Sequence, residues 1–131
     1  MTDNGTVSIL LSIHPKWAEL ILEGTKKLEV RKTFFRELER GSTIYLYATS
    51  PVKKVVGKCQ CDGGWAFDCH CPDWAHEQSC LSRKELKEYL GVKRGLFMEL
   101  YDPIRYENPK ELSEFGLVRP PQSFCYIRQV V

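Results

Sequence analysis

The sequence lacks the features that mark membrane proteins and secreted proteins. None of its apolar runs approaches the roughly 18 residues that a membrane-spanning helix needs. Its first residues do not combine a basic start with a long apolar run, as a signal peptide does. Excess charge is scarce too, because 19 basic and 17 acidic side chains leave a net charge of +2. We therefore expect a cytoplasmic protein without a membrane partner, in which any nucleic-acid contact comes from a local patch rather than from the total charge.

Internal repeats, low-complexity segments and linkers are also absent, which argues against a multidomain or disordered chain. The 131 residues are 43% hydrophobic and 27% charged, as is typical of a globular protein. A chain of this size buries about two-thirds of its unfolded surface, which is enough for one core. The sequence thus predicts a single domain over residues 1–131.

The chain opens with the pattern of a strand followed by a short helix. Residues 7–13 form an apolar run of the length of a buried strand. A proline then suits the first turn of a helix over residues 15–23. Gly24 is a plausible left-handed residue at the end of this helix.

Residues 26–32 change to a period of two and predict a second strand. Alternate side chains of a strand point to opposite faces. Leu28 and Val30 are therefore predicted to face the core, and Glu29 and Arg31 to share the other face.

The rest of the chain predicts further strands and helices in a mixed order. A turn is expected at residues 62–64 and an interruption at 102–103. Capping boxes predict a helix over residues 83–90 and a short one opened by residues 108–111. The remaining predicted strands cover residues 43–49, 53–61, 95–106 and 123–131. Five or six short strands with three or four helices indicate an α+β fold, either layered or a small, partly closed barrel.

The segment Gly24-Thr-Lys26-Lys-Leu-Glu29-Val-Arg31, preceded by a strand and a short helix, resembles the ASCH domain of the PUA-like superfamily. The lead-in SIHPKWAELIL and the later NPKELSEFGLVRPPQSFCYI are similar to those of small phage and bacterial ASCH-like proteins. The resemblance implies a small PUA-like β-barrel with peripheral short helices. It also implies a cleft between the first helix and the sheet, lined by Lys26, Glu29 and Arg31.

The resemblance implies binding of RNA, a nucleotide or a modified base in this cleft, as in PUA-like relatives. One ASCH branch is an amidohydrolase of acetylated cytidine nucleosides, whose lysine corresponds to Lys26. Its threonine nucleophile corresponds to Glu29, which cannot carry out the same acylation; its helical glutamate corresponds to Ser79, with Glu77 and Glu85 close by. A binding module is therefore the first hypothesis. The alternatives are a small hydrolase of nucleoside amides or RNA and a phage accessory protein that binds another protein.

The charged residues of the motif suit a site for a nucleotide. Arg31 offers a planar fork for a phosphate or a base edge. Lys26 is a point charge whose pKa can fall on burial, so it is the candidate catalytic base, with Glu29 as its partner. The alternative is a solvated strand face on which these charges only pair with one another.

Three further residues are candidates for ligand binding. Trp17 and Tyr126 can stack on a base, which contributes about 1–3 kcal/mol per base, and Ser12 is expected near the wall of the cleft. The alternative is that the aromatic side chains belong to the core.

The Cys-rich segment 59–80, predicted as an insertion within the domain, raises a separate question. Cys69, Cys71, His76 and Cys80 have a spacing compatible with a tetrahedral zinc site, in which Cys59 and Cys61 could substitute as ligands. The spacing departs from the common zinc knuckle, so free thiols that pack as small hydrophobic groups are the alternative. Disulfides are disfavoured in a reducing compartment. A structural zinc ion is thus the one cofactor that the sequence suggests.

Overall fold

The computed structural model describes residues 7–33, 35 and 40–127 of the chain. Within these ranges, the structure combines six strands with short helices. The strands are β1 (Ser8–Ile13), β2 (Leu28–Arg31), β3 (Ser42–Ala48), β4 (Lys54–Phe67), β5 (Gly95–Lys110) and β6 (Phe124–Ile127). The helices are α1 (Pro15–Leu22), α2 (Asp73–Ser79), α3 (Arg83–Leu90) and a 3₁₀ helix (Leu112–Phe115).

The strands form one curled sheet, a half-barrel, in the order β2-β5-β4-β3-β1-β6. β1 runs parallel to β3, and the other neighbouring pairs are antiparallel. This arrangement confirms the predicted α+β fold with a barrel-like sheet and peripheral helices. Residues 128–131, predicted to extend the last strand, lie outside the described residues. Among the helices of the described ranges, none is long and apolar enough to cross a membrane.

Two strands continue through positions where the sequence predicts a break. β4 runs through residues 62–64, where its pairing with β5 shifts register. Gly63 has a φ of 84°, so the strand absorbs an extra residue as a bulge. β5 continues past Asp102, which adopts a φ of 51° and bends the strand without ending it. The predicted turn and the predicted interruption are therefore wrong.

One capping box is confirmed and the other lies elsewhere. Ser82 and Glu85 exchange the hydrogen bonds of a capping box at the start of α3, as predicted. The box predicted at residues 108–111 is wrong, because β5 keeps paired with β4 as far as residue 110. Glu111 and Glu114 form a box instead, and it opens the 3₁₀ helix.

The faces of β2 alternate as the period of two predicts. Leu28 and Val30 belong to a buried cluster with side chains of α2 and α3. α1 covers a different cluster, into which it buries Ala18 and Ile21. The opposite face of β2 therefore opens towards the space between α1 and α3.

α1 is fixed against the sheet by close packing and by an ion pair. The Arg105 guanidinium of β5 donates to both Glu19 carboxylate oxygens, at 2.8 and 2.6 Å. Gly57 of β4 lacks a side chain where Leu22 approaches, and an added Cβ would lie 2.7 Å from the Leu22 side chain. α1 is thereby fixed against β4 and β5.

Candidate nucleotide-binding site

A cavity of about 330 Å³ lies where α1, α3 and β2 meet, and we call it the site cavity. The end of β1 and the segment before β2 complete its walls. It is lined by Ser12, Ile13, His14, Trp17, Lys26, Glu29, Val30, Arg31, Leu81, Glu85 and Tyr89.

Three charged side chains form a row beside this cavity, which we call the ionic row: Lys26, Glu29 and Arg31. The Lys26 Nζ atom lies 3.6 Å from Glu29 Oε1, and Arg31 Nε donates to Glu29 Oε2 at 2.7 Å. Their side chains are only 1%, 7% and 13% exposed, respectively. The alternative of a solvated strand face is therefore wrong, and the row is a buried ionic group in contact with a cavity.

The Arg31 guanidinium donates three hydrogen bonds to other groups of the chain. Besides Glu29, it donates from Nη1 to the Ser123 hydroxyl at 3.1 Å and from Nη2 to the Ser12 carbonyl at 2.9 Å. Ser12 in turn donates through its hydroxyl to the Pro121 carbonyl at 2.7 Å. A guanidinium has five N–H groups. Two of them remain for a ligand after these three bonds.

Lys26 is held from the other side by the end of α2. Its ammonium donates to the Ser79 carbonyl and lies 5.1 Å from the centre of the Trp17 ring. Burial lowers the pKa of Lys26 below its usual range, although the charge of Glu29 opposes the change. The chain thus holds a lysine with a lowered pKa at the wall of the site cavity.

The walls of the cavity carry two aromatic rings from different helices. Trp17 of α1 is half-buried, whereas Tyr89 of α3 is 38% exposed. Glu85, one turn before Tyr89, adds a carboxylate to the same wall, and its bond from the Ser82 backbone is the main cause of its lowered pKa. The cavity thus combines stacking surfaces with donors and acceptors.

Five of the six candidate site residues meet here, namely Ser12, Trp17, Lys26, Glu29 and Arg31. Tyr126 is absent from the cavity lining, and its ring packs 5.6 Å from the Phe124 ring of the same strand.

Sequence reasoning missed Tyr89 and Ser123 altogether. Tyr89 shares a helix face with Glu85, but nothing in the sequence placed α3 beside β2. Ser123 lies 92 residues from Arg31 along the chain, and no local pattern marks it.

A second cavity, of about 320 Å³, adjoins Lys26 on the side of β5. Lys27 is exposed and lines this second cavity rather than the site cavity. Lys27 therefore serves as a natural control for variants of the ionic row.

The cysteines predicted to bind zinc lie in different surroundings. Cys69 and Cys71 are buried in the apolar cluster beneath α2 and α3, and Cys80 donates through its thiol to the Thr25 carbonyl. Across the described ranges, no three His, Cys, Asp or Glu side chains are arranged to hold a metal. His76 thus has no ligand set around it, and all six thiols are free. Zinc stays a prediction, which elemental analysis of the purified protein decides.

Comparison with known proteins finds relatives of this chain in both sequence and structure. The chain is 29% identical over 126 residues to an ASCH domain-containing ribonuclease of Zymomonas mobilis, covering 92% of this chain and 84% of that protein. The crystal structure of an ASCH protein from Zymomonas mobilis superposes with a TM-score of 0.79 at 25% identity, covering 93% of this chain and 88% of that one.

A longer relative matches as well. The large ribosomal subunit protein uL22 of Ureaplasma parvum is 28% identical over 135 residues, which cover 94% of this chain. The match spans only 40% of that relative's length. The sequence pattern of the ASCH domain itself matches residues 11–111. With this match over most of its length, the chain belongs to the ASCH domain family.

Proposed function

We propose that this chain binds RNA by taking one unpaired nucleotide into the site cavity. The observation that carries the proposal is the ionic row, which lies buried at the wall of a cavity that also presents Trp17 and Tyr89. A volume of about 330 Å³ is at the lower end for small-ligand sites. It suits one nucleotide rather than a paired segment.

Each part of the site matches a part of a nucleotide. The two remaining N–H groups of Arg31 fit a phosphate or the edge of a base, since a planar fork binds both. Trp17 and Tyr89 offer faces for stacking, which every base can use. The relative named a ribonuclease favours RNA among the nucleotide ligands.

Unpaired nucleotides are favoured because a duplex hides the faces of its bases. Proteins that read RNA bases do so mostly where the strand is single and the bases can turn outwards. The net charge of +2 supports the same view. Binding then depends on a local site and not on a broad basic surface that would attract any duplex.

A fluorescence-anisotropy titration with a labelled single-stranded RNA tests the proposal, with the same strand annealed to its complement as the comparison. We expect the single strand to bind more tightly. Arg31→Ala should weaken binding by about 10- to 100-fold, the worth of a hydrogen bond to a charged group, whereas Lys27→Ala should change it little. Arg31→Lys keeps the charge but loses the planar fork, so its affinity for RNA should lie between those of Arg31→Ala and the unaltered chain. Equal losses in the Arg31→Ala and Lys27→Ala variants would contradict the proposal.

Cleavage of the bound RNA is the second candidate function. It is favoured by the relative named a ribonuclease and by the lowered pKa of Lys26. A neutral lysine can remove the proton from a ribose 2′-hydroxyl, whose oxygen then attacks the neighbouring phosphorus, while the 5′-oxygen leaves and takes up a proton from water. Arg31 would stabilise the charge that develops on the phosphate. No comparable observation favours hydrolysis of nucleoside amides.

Mass spectrometry of RNA incubated with the chain separates cleavage from binding alone. We expect products that end in a 2′,3′-cyclic phosphate and that disappear in Lys26→Ala. The same variant should still bind RNA, because Arg31 and both rings remain. Undiminished cleavage by Lys26→Ala would show that another group is the base, and intact RNA with the unaltered chain would leave binding as the function.

A further inference from the structure

Two exposed lysines stand against the aromatic walls of the site cavity. The Lys16 ammonium lies 4.8 Å from the centre of the Trp17 ring, and the Lys32 ammonium lies 4.9 Å from that of Tyr89. Both rings line the cavity, whereas neither lysine does. Each aromatic wall therefore carries one positive charge beside it.

The two lysines come from separate elements of the fold. Lys16 is in the first turn of α1, and Lys32 directly follows β2 beside α3. The ionic row lies on the elements between them. Two positive charges thus lie beside two different aromatic walls of one cavity, one on α1 and one next to α3.

Both ammonium groups can leave their aromatic rings to contact a ligand. In the part of the chain that the structure describes, no carboxylate lies within ion-pair distance of Lys16 or Lys32. Both lysines are exposed, and a cation–π contact at an exposed site is worth only about 0.5–1 kcal/mol. A lysine also has a flexible stem, so its ammonium can follow a nearby anion.

Besides Glu29 of the ionic row, one further acidic residue lines the cavity among the described residues. Glu85 lines the cavity, and after its bonds with Ser82 the charges of Lys16 and Lys26 also lower its pKa. Glu85 accepts the Ser82 backbone N–H as part of the capping box. Its carboxylate is thereby tied to the start of α3 and does not neutralise Lys16 by direct contact.

Resting on the proposed function, we propose that Lys16 and Lys32 hold the two phosphates that flank the nucleotide in the site cavity. A base stacked on Trp17 or Tyr89 leaves its own sugar and phosphates beside that ring, where one of the two ammonium groups lies. One phosphate on each side means that the site takes an internal nucleotide of a strand. A free nucleoside or a strand end uses one lysine at most.

Isothermal titration calorimetry with nucleoside 3′,5′-bisphosphates tests this directly, because such a compound carries both phosphates and has no internucleotide bond to cleave. The comparison ligands are the nucleoside, its 5′-monophosphate and its 3′-monophosphate, in the adenosine and uridine series. We expect the bisphosphate to bind most tightly. Lys16→Ala and Lys32→Ala should each weaken it by about two- to fivefold, as expected for an exposed ion pair, and bring it close to the affinity of a monophosphate.

Salt dependence provides a second measurement on a single-stranded RNA. Each lysine variant should reduce the slope of log affinity against log salt by about 0.7, the value for one lost phosphate contact on a single strand. Lys93→Ala, an exposed lysine just beyond α3 that lies away from the cavity lining, should change neither the slope nor the affinity.

The outcomes separate this inference from the proposed function. An RNA strand that binds equally well to the unaltered chain and to the Lys16→Ala, Lys32→Ala double variant overturns the inference and leaves RNA binding intact. A bisphosphate that binds no more tightly than a monophosphate does the same. A chain that binds neither strand nor bisphosphate overturns both.

Discussion

On one face of β2, Leu28 and Val30 pack among apolar side chains beneath α2 and α3, whereas on the other face Glu29 and Arg31 meet Lys26 beside the site cavity. Both faces are largely removed from water. Burial of the apolar side chains stabilises the fold by about 1.5–3 kcal/mol each. Burial of the charges costs free energy that their mutual attraction repays only in part. The ionic face is thus expected to add little to stability, in keeping with the proposed role in binding.

The largest effect on stability is expected from removal of the Glu29 carboxylate, which lies between the two cations. Glu29→Ala leaves Lys26 and Arg31 buried and side by side without a counter-charge. We expect the free energy of unfolding in urea to fall by about 3–5 kcal/mol, as when one partner of a buried ion pair is deleted.

A triple variant is the control for this prediction. Lys26→Met, Glu29→Leu and Arg31→Met together replace the ionic row by apolar side chains of similar volume, a change that is often neutral or stabilising in other proteins. We expect this variant to regain the stability and to lose RNA binding. A triple variant that is as unstable as Glu29→Ala would mean that the ionic row supports the fold itself.

A change on the apolar face should lower stability as well, but it should leave RNA binding intact. Leu28→Ala opens a hole in the cluster beneath α2 and α3, so the free energy of unfolding should fall by about 2–5 kcal/mol. The folded fraction should bind RNA with unchanged affinity, because no atom of Leu28 lines the site cavity. Equilibrium unfolding checks the stability, and an RNA titration under conditions well below the unfolding midpoint checks the affinity. A weakened affinity would show that the two faces are coupled.

The same two faces show what a sequence can predict here. A period of two is a local property, so the roles of Leu28 and Val30 and of Glu29 and Arg31 follow from four neighbouring residues. The Ser82–Glu85 capping box is local in the same sense and is also observed. The cleft was predicted from the family resemblance, because periodicity alone cannot predict a cleft.

The rest depends on contacts between distant segments. Ser123 reaches Arg31 and the Ser79 carbonyl reaches Lys26 only after the sheet has curled and α2 has packed against β2. The breaks predicted at residues 62–64 and 102–103 failed for a related reason. Pairing between β4 and β5 holds both strands extended through residues that favour turns in isolation.

The pH dependence of stability should reveal the burial of one side chain of the ionic row, Lys26. Burial holds the pKa of Lys26 in the folded chain below its ordinary value of 10.5. Between the folded and the unfolded pKa the unfolded chain binds more protons, so stability from this group rises with pH across that window.

The measurement is the difference in the free energy of unfolding between the unaltered chain and Lys26→Met. We expect this difference to shift in favour of the unaltered chain as the pH rises from the folded pKa towards 10.5. Groups common to both chains cancel in the difference. A difference that stays flat would mean that Glu29 offsets burial completely.

The smallest expected effect concerns the wall of the cavity rather than either face of β2. Glu85→Gln removes a negative charge from the site while a glutamine can still complete the capping box with Ser82. The helix should therefore keep its start, and circular dichroism and the unfolding midpoint should stay close to those of the unaltered chain. Without the carboxylate, RNA should bind about two- to threefold more tightly at low salt, since exposed charges interact by less than about 1 kcal/mol. The gain should fade as salt is added.

Glu88→Gln, on the exposed outer side of α3 and absent from the cavity lining, is the matched control. Weaker binding by Glu85→Gln would instead mean that the carboxylate contacts the nucleotide, for example by accepting from the amino group of a base.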